Sequence, residues 1–251
     1  MKYLLAVIIT SFLCGAAWAQ TSYYAAAKSG LSIREQPDVN AKVLDKIPYG
    51  QKVEILKDAA EMKAISVEGF SGYWWLVKYN DKKGYVVSSY VLGSVPPGAS
   101  VKKLEDYFAQ ISSPNGPPIV LQEPASQDEE SARLKKQMYK NGMEWHETQG
   151  YEYGASLYIL PGYTIEQAFL LVRLIGQYPD LINAKDVFPV KNNKIKNEIG
   201  EKIIELERET FDDSKQGPIK KIRIIHTQGA ITEFEIFSID SQVLISYSSG
   251  V

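Results

Sequence analysis

Few residues in this 251-residue chain could carry acid–base or nucleophilic chemistry: two histidines, His146 and His226, and one cysteine, Cys14. His146 lies in Glu144-Trp-His-Glu147. A strand there would put Glu144 and His146 on one face and Glu147 on the other. That pair could seat a general base beside a carboxylate. No nucleophile or substrate-holding group accompanies it, so the stretch reads as a strand histidine next to a surface charge. His226, in an alternating run, reads the same way. A catalytic zinc needs several His and carboxylate ligands and an open position, and no His-Glu-x-x-His is present. Glu201, Glu205, Glu207 and Glu209 form an acidic run without an Asp-x-Asp-x-Asp-Gly loop, and read as the solvated face of a strand. Glycine-rich phosphate loops are also lacking. The expectation is therefore no catalytic residue, no metal and no cofactor.

The aromatic residues are the stronger signal. Tyr24, Tyr49, Tyr73, Trp74, Trp75, Tyr79, Tyr85 and Tyr90 crowd one short region. On a strand, Trp74 and Leu76 point to one side and Tyr73, Trp75 and Val77 to the other. Such rings can fill a small core, which a domain this size needs. They can also line a groove for an extended peptide, offering apolar faces and polar tips. Trp74 and Val77 are assigned to the core, whereas Tyr49, Trp75 and Tyr90 fit either role. The candidate ligand-binding set is Tyr49, Tyr73, Trp75 and Tyr90.

Residues 1–19 have the three parts of a secretory leader: Lys2, an apolar run from Tyr3 to Leu13, and Ala17-Trp-Ala19 as a cleavage site. The run is too short to span a bilayer. Lipidation at Cys14 is the rival, but bulky Leu13 stands where a small residue is expected, and cleavage before Gln20 is preferred. Export to the periplasm or outside follows, with no transmembrane segment left in the mature chain. Cys14 leaves with the leader, taking with it any thiol chemistry or disulfide. The net charge is −2, which gives nucleic acid or anionic lipid nothing to attract.

The elements that would position the rings lie between Tyr23 and Leu92. Strands are expected at Tyr23–Ala27, Leu31–Arg34, Lys52–Leu56, Trp74–Tyr79 and Tyr85–Leu92, with Val43-Leu44 and Ile47 leading into the turn before Lys52. Turns are expected at Tyr49-Gly50 and from Asn80-Asp81 to Gly84. Asp58 to Ser71 is a long connection with room for a short strand at Ile65–Val67.

In this order the pieces resemble a bacterial SH3 (SH3b) domain. Leu31-Ser-Ile-Arg34 stands where that family has Leu-Asn-Val-Arg, and Glu35-Gln-Pro-Asp38 replaces Ser-Gly-Pro-Ser. The Trp74 run parallels Trp-Tyr-Lys-Val-Arg-Tyr, Gly84-Tyr-Val86 replaces Gly-Trp-Val, and Ser88-Ser-Tyr-Val-Leu92 resembles Ser-Ser-Tyr-Leu. The resemblance implies a small β-barrel that binds a cell-wall (peptidoglycan) peptide or a protein partner. It also brings to mind cell-wall hydrolases, but their common cysteine peptidase needs a thiol nucleophile that the mature chain lacks.

Beyond Val95-Pro-Pro-Gly98 the residues carry no family resemblance to argue from. A short helix is expected within Val101–Ile111, then a Ser113–Pro118 breaker. A strand at Ile119–Gln122 and a helix from a capping box at Ser126–Glu129 to Asn141 come next. Strands at Met143–Thr148 and Ala155–Leu160 follow. Thr164-Ile-Glu-Gln167 is a second capping box, opening a helix over Ile165–Tyr178 that is apolar nearly all round, with a thin polar stripe of Glu166, Arg173 and Gln177. Strands at Lys202–Glu209, Ile219–Thr227, Ile231–Ser238 and Val243–Ser248 complete an antiparallel meander.

The division reads 1–19 leader, 20–93 barrel, 94–118 linker and 119–251 second domain, with the two halves expected to fold independently. The fold class is mainly β: an SH3-like small β-barrel followed by an α+β domain whose antiparallel meander packs on a helix. The leading functional expectation is an exported, non-enzymatic binding protein. The alternatives are a carboxylate-based glycan hydrolase in the second half, and a scaffold that self-associates through a meander edge. Oligomeric state is not legible.

Overall fold

The computed structural model describes residues 22–56, 63–123, 132–196, 198, 200–212 and 215–250. The leader and the first capping box at Ser126–Glu129 lie outside the described residues. The barrel is built from β1 (Tyr23–Ala25), β2 (Leu31–Arg34), β3 (Val43–Ile47), β4 (Lys52–Ile55), β5 (Ala64–Val67), β6 (Phe70–Tyr79), β7 (Lys82–Val87) and β8 (Val91–Leu92). Its strands pair in the order β3-β2-β7-β6-β4-β1-β8, and β5 pairs with β6 outside that path. Ala25, Leu31, Ile33, Ile47, Val53, Val77, Val86 and Val91 fill its core. These residues are mostly β-branched and alternate along short strands, as a pleated sheet with one buried face requires.

Two local features refine the expected turns. The β6–β7 hairpin turns at Asn80-Asp81, with Asn80 at φ 51°, a left-handed conformation that asparagine tolerates. Gly84 belongs to β7 instead of to the turn. A Cβ there would come within 2.5 Å of Ile33 Cγ2 and 2.6 Å of Arg34 O, so the glycine lets β7 pass close to β2.

The second unit is a nine-stranded antiparallel sheet. Its strands are β9 (Ile119–Gln122), β10 (Arg133–Met138), β11 (Glu144–Gln149), β12 (Tyr153–Pro161), β13 (Asn193–Lys196), β14 (Glu201–Asp212), β15 (Lys215–Gln228), β16 (Ala230–Ile239) and β17 (Gln242–Gly250). They lie in the order β13-β14-β15-β16-β17-β12-β11-β10-β9. Helices α1 (Leu104–Ile111) and α2 (Ile165–Ile175) supply the other layer. Ile222, Ile224, Phe234, Ile236 and Ile245 meet Leu170, Leu171 and Val172 in one core.

The helix expected up to Asn141 is a strand, β10, in its described part. Arg, Leu, Lys, Gln and Met favour helix intrinsically. Here Arg133–Met138 is paired with β11 on one side and β9 on the other, and tertiary pairing overrides the local preference. The second capping box is present: Thr164 Oγ1 accepts from Gln167 N at 3.2 Å, and Thr164 N donates to Gln167 Oε1 at 3.1 Å. Helix α2 ends before Tyr178, at Gly176, whose φ of 72° closes it in the left-handed conformation.

The stretch read as a linker joins the core. Leu104, Tyr107 and Phe108 of α1 are fully buried, and Phe108 packs edge-on against Tyr139 and Tyr158. Barrel residues Ala26, Phe70 and Leu92 belong to the same buried cluster as α2 and the large sheet. No strand pairing crosses between the two described sheets, but packing does, and so do hydrogen bonds such as Phe188 N to Glu68 O at 2.8 Å.

Candidate functional site

Strand β6 organises the candidate site because its alternate residues serve different neighbours. Phe70 and Trp74 share one side. Phe70 packs at 5.9 Å from Phe169 and 5.2 Å from Phe188, so this side faces the second unit. Tyr73, Trp75 and Val77 share the other. Val77 is in the barrel core and Trp75 packs partly against it, while Tyr73 is 50% exposed. The inside–outside assignment thus holds for Val77. Trp74 is buried, at 4% exposure, but belongs to neither core cluster. It lies on the opposite side of the strand.

Tyr73 and Trp75 line a cleft of about 670 Å³ between the β5–β6 hairpin and the start of α2. Ala64, Gly72 and the serines Ser66, Ser71, Ser88 and Ser89 give it a floor of small side chains. A Cβ on Gly72 would come within 2.3 Å of Ser89 Oγ, so a larger residue there would displace the serine hydroxyls. Ser88 Oγ accepts from Tyr73 N at 2.9 Å, and Ser89 Oγ donates to Ser71 O at 3.2 Å. Each hydroxyl keeps further hydrogen-bonding capacity. Trp75 stands edge-on to Tyr23 at 5.4 Å, and its buried Nε1 has no acceptor among the described residues, a donor left to satisfy. Strand β5 pairs only with β6 among the described strands.

Residues 29–92 match the bacterial SH3 domain family. The match covers the β2–β8 portion of the barrel. No curated protein matches the chain. Among solved structures, the extracellular domain of PknH from Mycobacterium tuberculosis is similar at 11% identity, over 62% of this chain and 82% of that one, with a TM-score of 0.23. A likeness that low carries no argument.

The structure brings Tyr73 and Trp75 of the expected set together and places Tyr49 and Tyr90 elsewhere. Tyr49 packs against the shared core and donates from its hydroxyl to Pro97 O at 2.9 Å. Burial pushes its phenol up to about 12. Tyr90 donates to Glu68 Oε2 at 2.7 Å. Burial first, and then that carboxylate, push its phenol up to about 12. Both rings belong to the contact between the SH3 domain and the second unit. The serine floor was not singled out in the sequence. Its signal was the small-residue content of Ser71-Gly72 and Ser88-Ser89, which only the β6–β7 pairing brings together.

The acid–base candidates lie elsewhere. His146 Nε2 is 3.1 Å from Glu144 Oε2, on the face of β11 opposite Trp145, whose ring packs on the core. Glu205 and Glu207 pair with Arg223 and Lys220 on β15. His226 sits in β15 between Lys202 and Thr232 of the neighbouring strands. Among the described residues, no three His, Cys, Asp or Glu side chains are placed to hold a metal, and no helix is long and apolar enough to cross a membrane.

Proposed function

We propose that the chain is an exported, non-enzymatic binding protein whose SH3 domain holds an extended peptide in the Tyr73–Trp75 cleft, the peptide coming from the cell wall or from a protein partner. The observation that carries this reading is Tyr73, a half-exposed ring standing beside a floor of serine hydroxyls and small residues. The ring offers an apolar face, and the hydroxyls can pair with peptide backbone groups. The side of β5 away from β6, unpaired among the described strands, offers a ladder to an added strand. Ala64 and Gly72 favour a ligand with small side chains, as in peptidoglycan stem peptides. The wall source rests on analogy with the family.

Titration calorimetry of the purified chain with peptidoglycan stem peptides tests it. Tyr73→Ala should weaken binding by about 1–3 kcal/mol if the ring is a hot spot, with the melting temperature unchanged. Lack of binding at millimolar peptide, or binding untouched by Tyr73→Ala, would contradict it. Export rests on the leader. N-terminal sequencing of protein from its native cell should begin at or near Gln20, and a lipid-modified Cys14 would make the protein membrane-anchored instead.

A further inference from the structure

A second cleft lies on the opposite side of β6 and carries a charge that peptide binding does not explain. It encloses about 620 Å³ and has walls from both units. Trp74 contributes to its lining. The cleft is also lined by Lys28 and Arg34 from the SH3 domain, Arg173 and Lys185 from the second unit, and one carboxylate, Glu68. Glu68 and Arg173 pair at 2.8 Å. The other three cations have no carboxylate partner among the described residues. Lys28 Nζ donates to Leu174 O at 2.8 Å, at the C-terminal end of α2, and Arg34 donates one of its N–H groups to Ala41 O at 2.7 Å. Lys185 is exposed; its backbone N–H donates to Asn183 Oδ1 at 2.9 Å, while its ammonium has no hydrogen-bond or ion-pair partner among the described residues. Four cations against one carboxylate leave an excess of three positive charges here, in a chain whose net charge is −2.

Like charges gathered in one concavity repel, and a bound anion relieves the repulsion. Carbonyl partners leave the charge of Lys28 and Arg34 intact, and guanidinium keeps donors free in a plane that fits an oxyanion. We propose that this cleft binds a small oxyanion, a carboxylate or a phosphate, held by Lys28, Arg34 and Lys185 beside the buried Trp74. The ligand would touch both units and hold them together. The site is separate from the peptide cleft, because β6 turns Tyr73 and Trp75 one way and Trp74 the other.

Tryptophan fluorescence titrations of the full chain test this, with benzoate and phenyl phosphate as probes and benzamide as the neutral isostere. The expected result is a saturable response to at least one anion at about millimolar concentration, with benzamide weaker by about tenfold or more. The stronger of the two anions identifies the source as carboxylate or phosphate. Arg34→Gln with Lys185→Glu should weaken the response by about tenfold or more, and Tyr73→Ala should leave it unchanged. Lys185 is exposed, so Lys185→Glu alone keeps the test valid if Arg34→Gln fails to fold. Absence of a saturable response to both anions, an equal response to benzamide, or a response indifferent to Lys185→Glu would overturn the proposal.

Discussion

Arg173 joins the two units through several weak contacts made by one cation. Its guanidinium is buried, donates to Glu68 Oε2 at 2.8 Å and to Asp186 O at 3.0 Å, and lies over the Phe70 ring at 4.8 Å. Helical spacing places it on the polar stripe of α2, which suggests solvent; the structure places the SH3 domain there instead. The hydrogen bond from Tyr90 first, and then Arg173, hold the Glu68 carboxyl below its ordinary value. A carboxyl depressed in the folded state adds stability that is present above its ordinary range and lost as pH falls through the folded value. Tyr90 works in the opposite sense: its raised phenol adds stability present below its ordinary value, lost as pH rises toward about 12. Arg173→Ala should therefore lower stability by about 1–3 kcal/mol near neutral pH. It should also flatten the loss of stability on the acid side. Urea denaturation of both proteins across pH checks this, and an acid limb of equal steepness in the variant would contradict it.

Among the elements, the β5–β6 hairpin does the most to fix the arrangement. Its turn is Glu68-Gly69, with Gly69 at φ 80°, and a Cβ on Gly69 would come within 2.1 Å of Phe188 O. Phe188 N donates to Glu68 O at 2.8 Å. The turn is therefore pressed against backbone of the second unit, where neither side can yield cheaply. Gly69→Ala combines an unfavourable φ with a backbone clash. It should split a single thermal transition into two, as the SH3 domain and the large sheet come apart; calorimetry reads this directly, and one unbroken transition would contradict it. The hairpin strand at Ile65–Val67 was legible as a β-rich run inside a long connection. What it touches was not, because Phe188 is far away in sequence and pairs through backbone, which leaves no side-chain pattern. Strand β10 was misread for a related reason: its residues favour helix, and only the flanking strands decide otherwise.

For the molecule as a whole, the sequence conveyed the SH3-like barrel and the meander, because both rest on short alternating strands between turn residues. The all-round apolar character of Ile165–Ile175 likewise announced a buried helix. Phe70 falls within the Asp58 to Ser71 connection by sequence, yet it opens β6 and is fully buried against Phe169 and Phe188. Tyr49 and Tyr90, read as groove candidates, have the composition of a binding surface because they lie on one: the surface that meets the second unit. Of the four candidate rings, only Tyr73 and Trp75 line the proposed peptide cleft. Chemical-shift mapping of the isotope-labelled chain with a peptidoglycan stem peptide tests that placement most directly. The predicted result is a set of perturbed amides centred on Ser66, Ser71, Tyr73, Trp75, Ser88 and Ser89, extending to Gln167 at the start of α2. Perturbations confined to the large sheet, or none at about millimolar peptide, would contradict it.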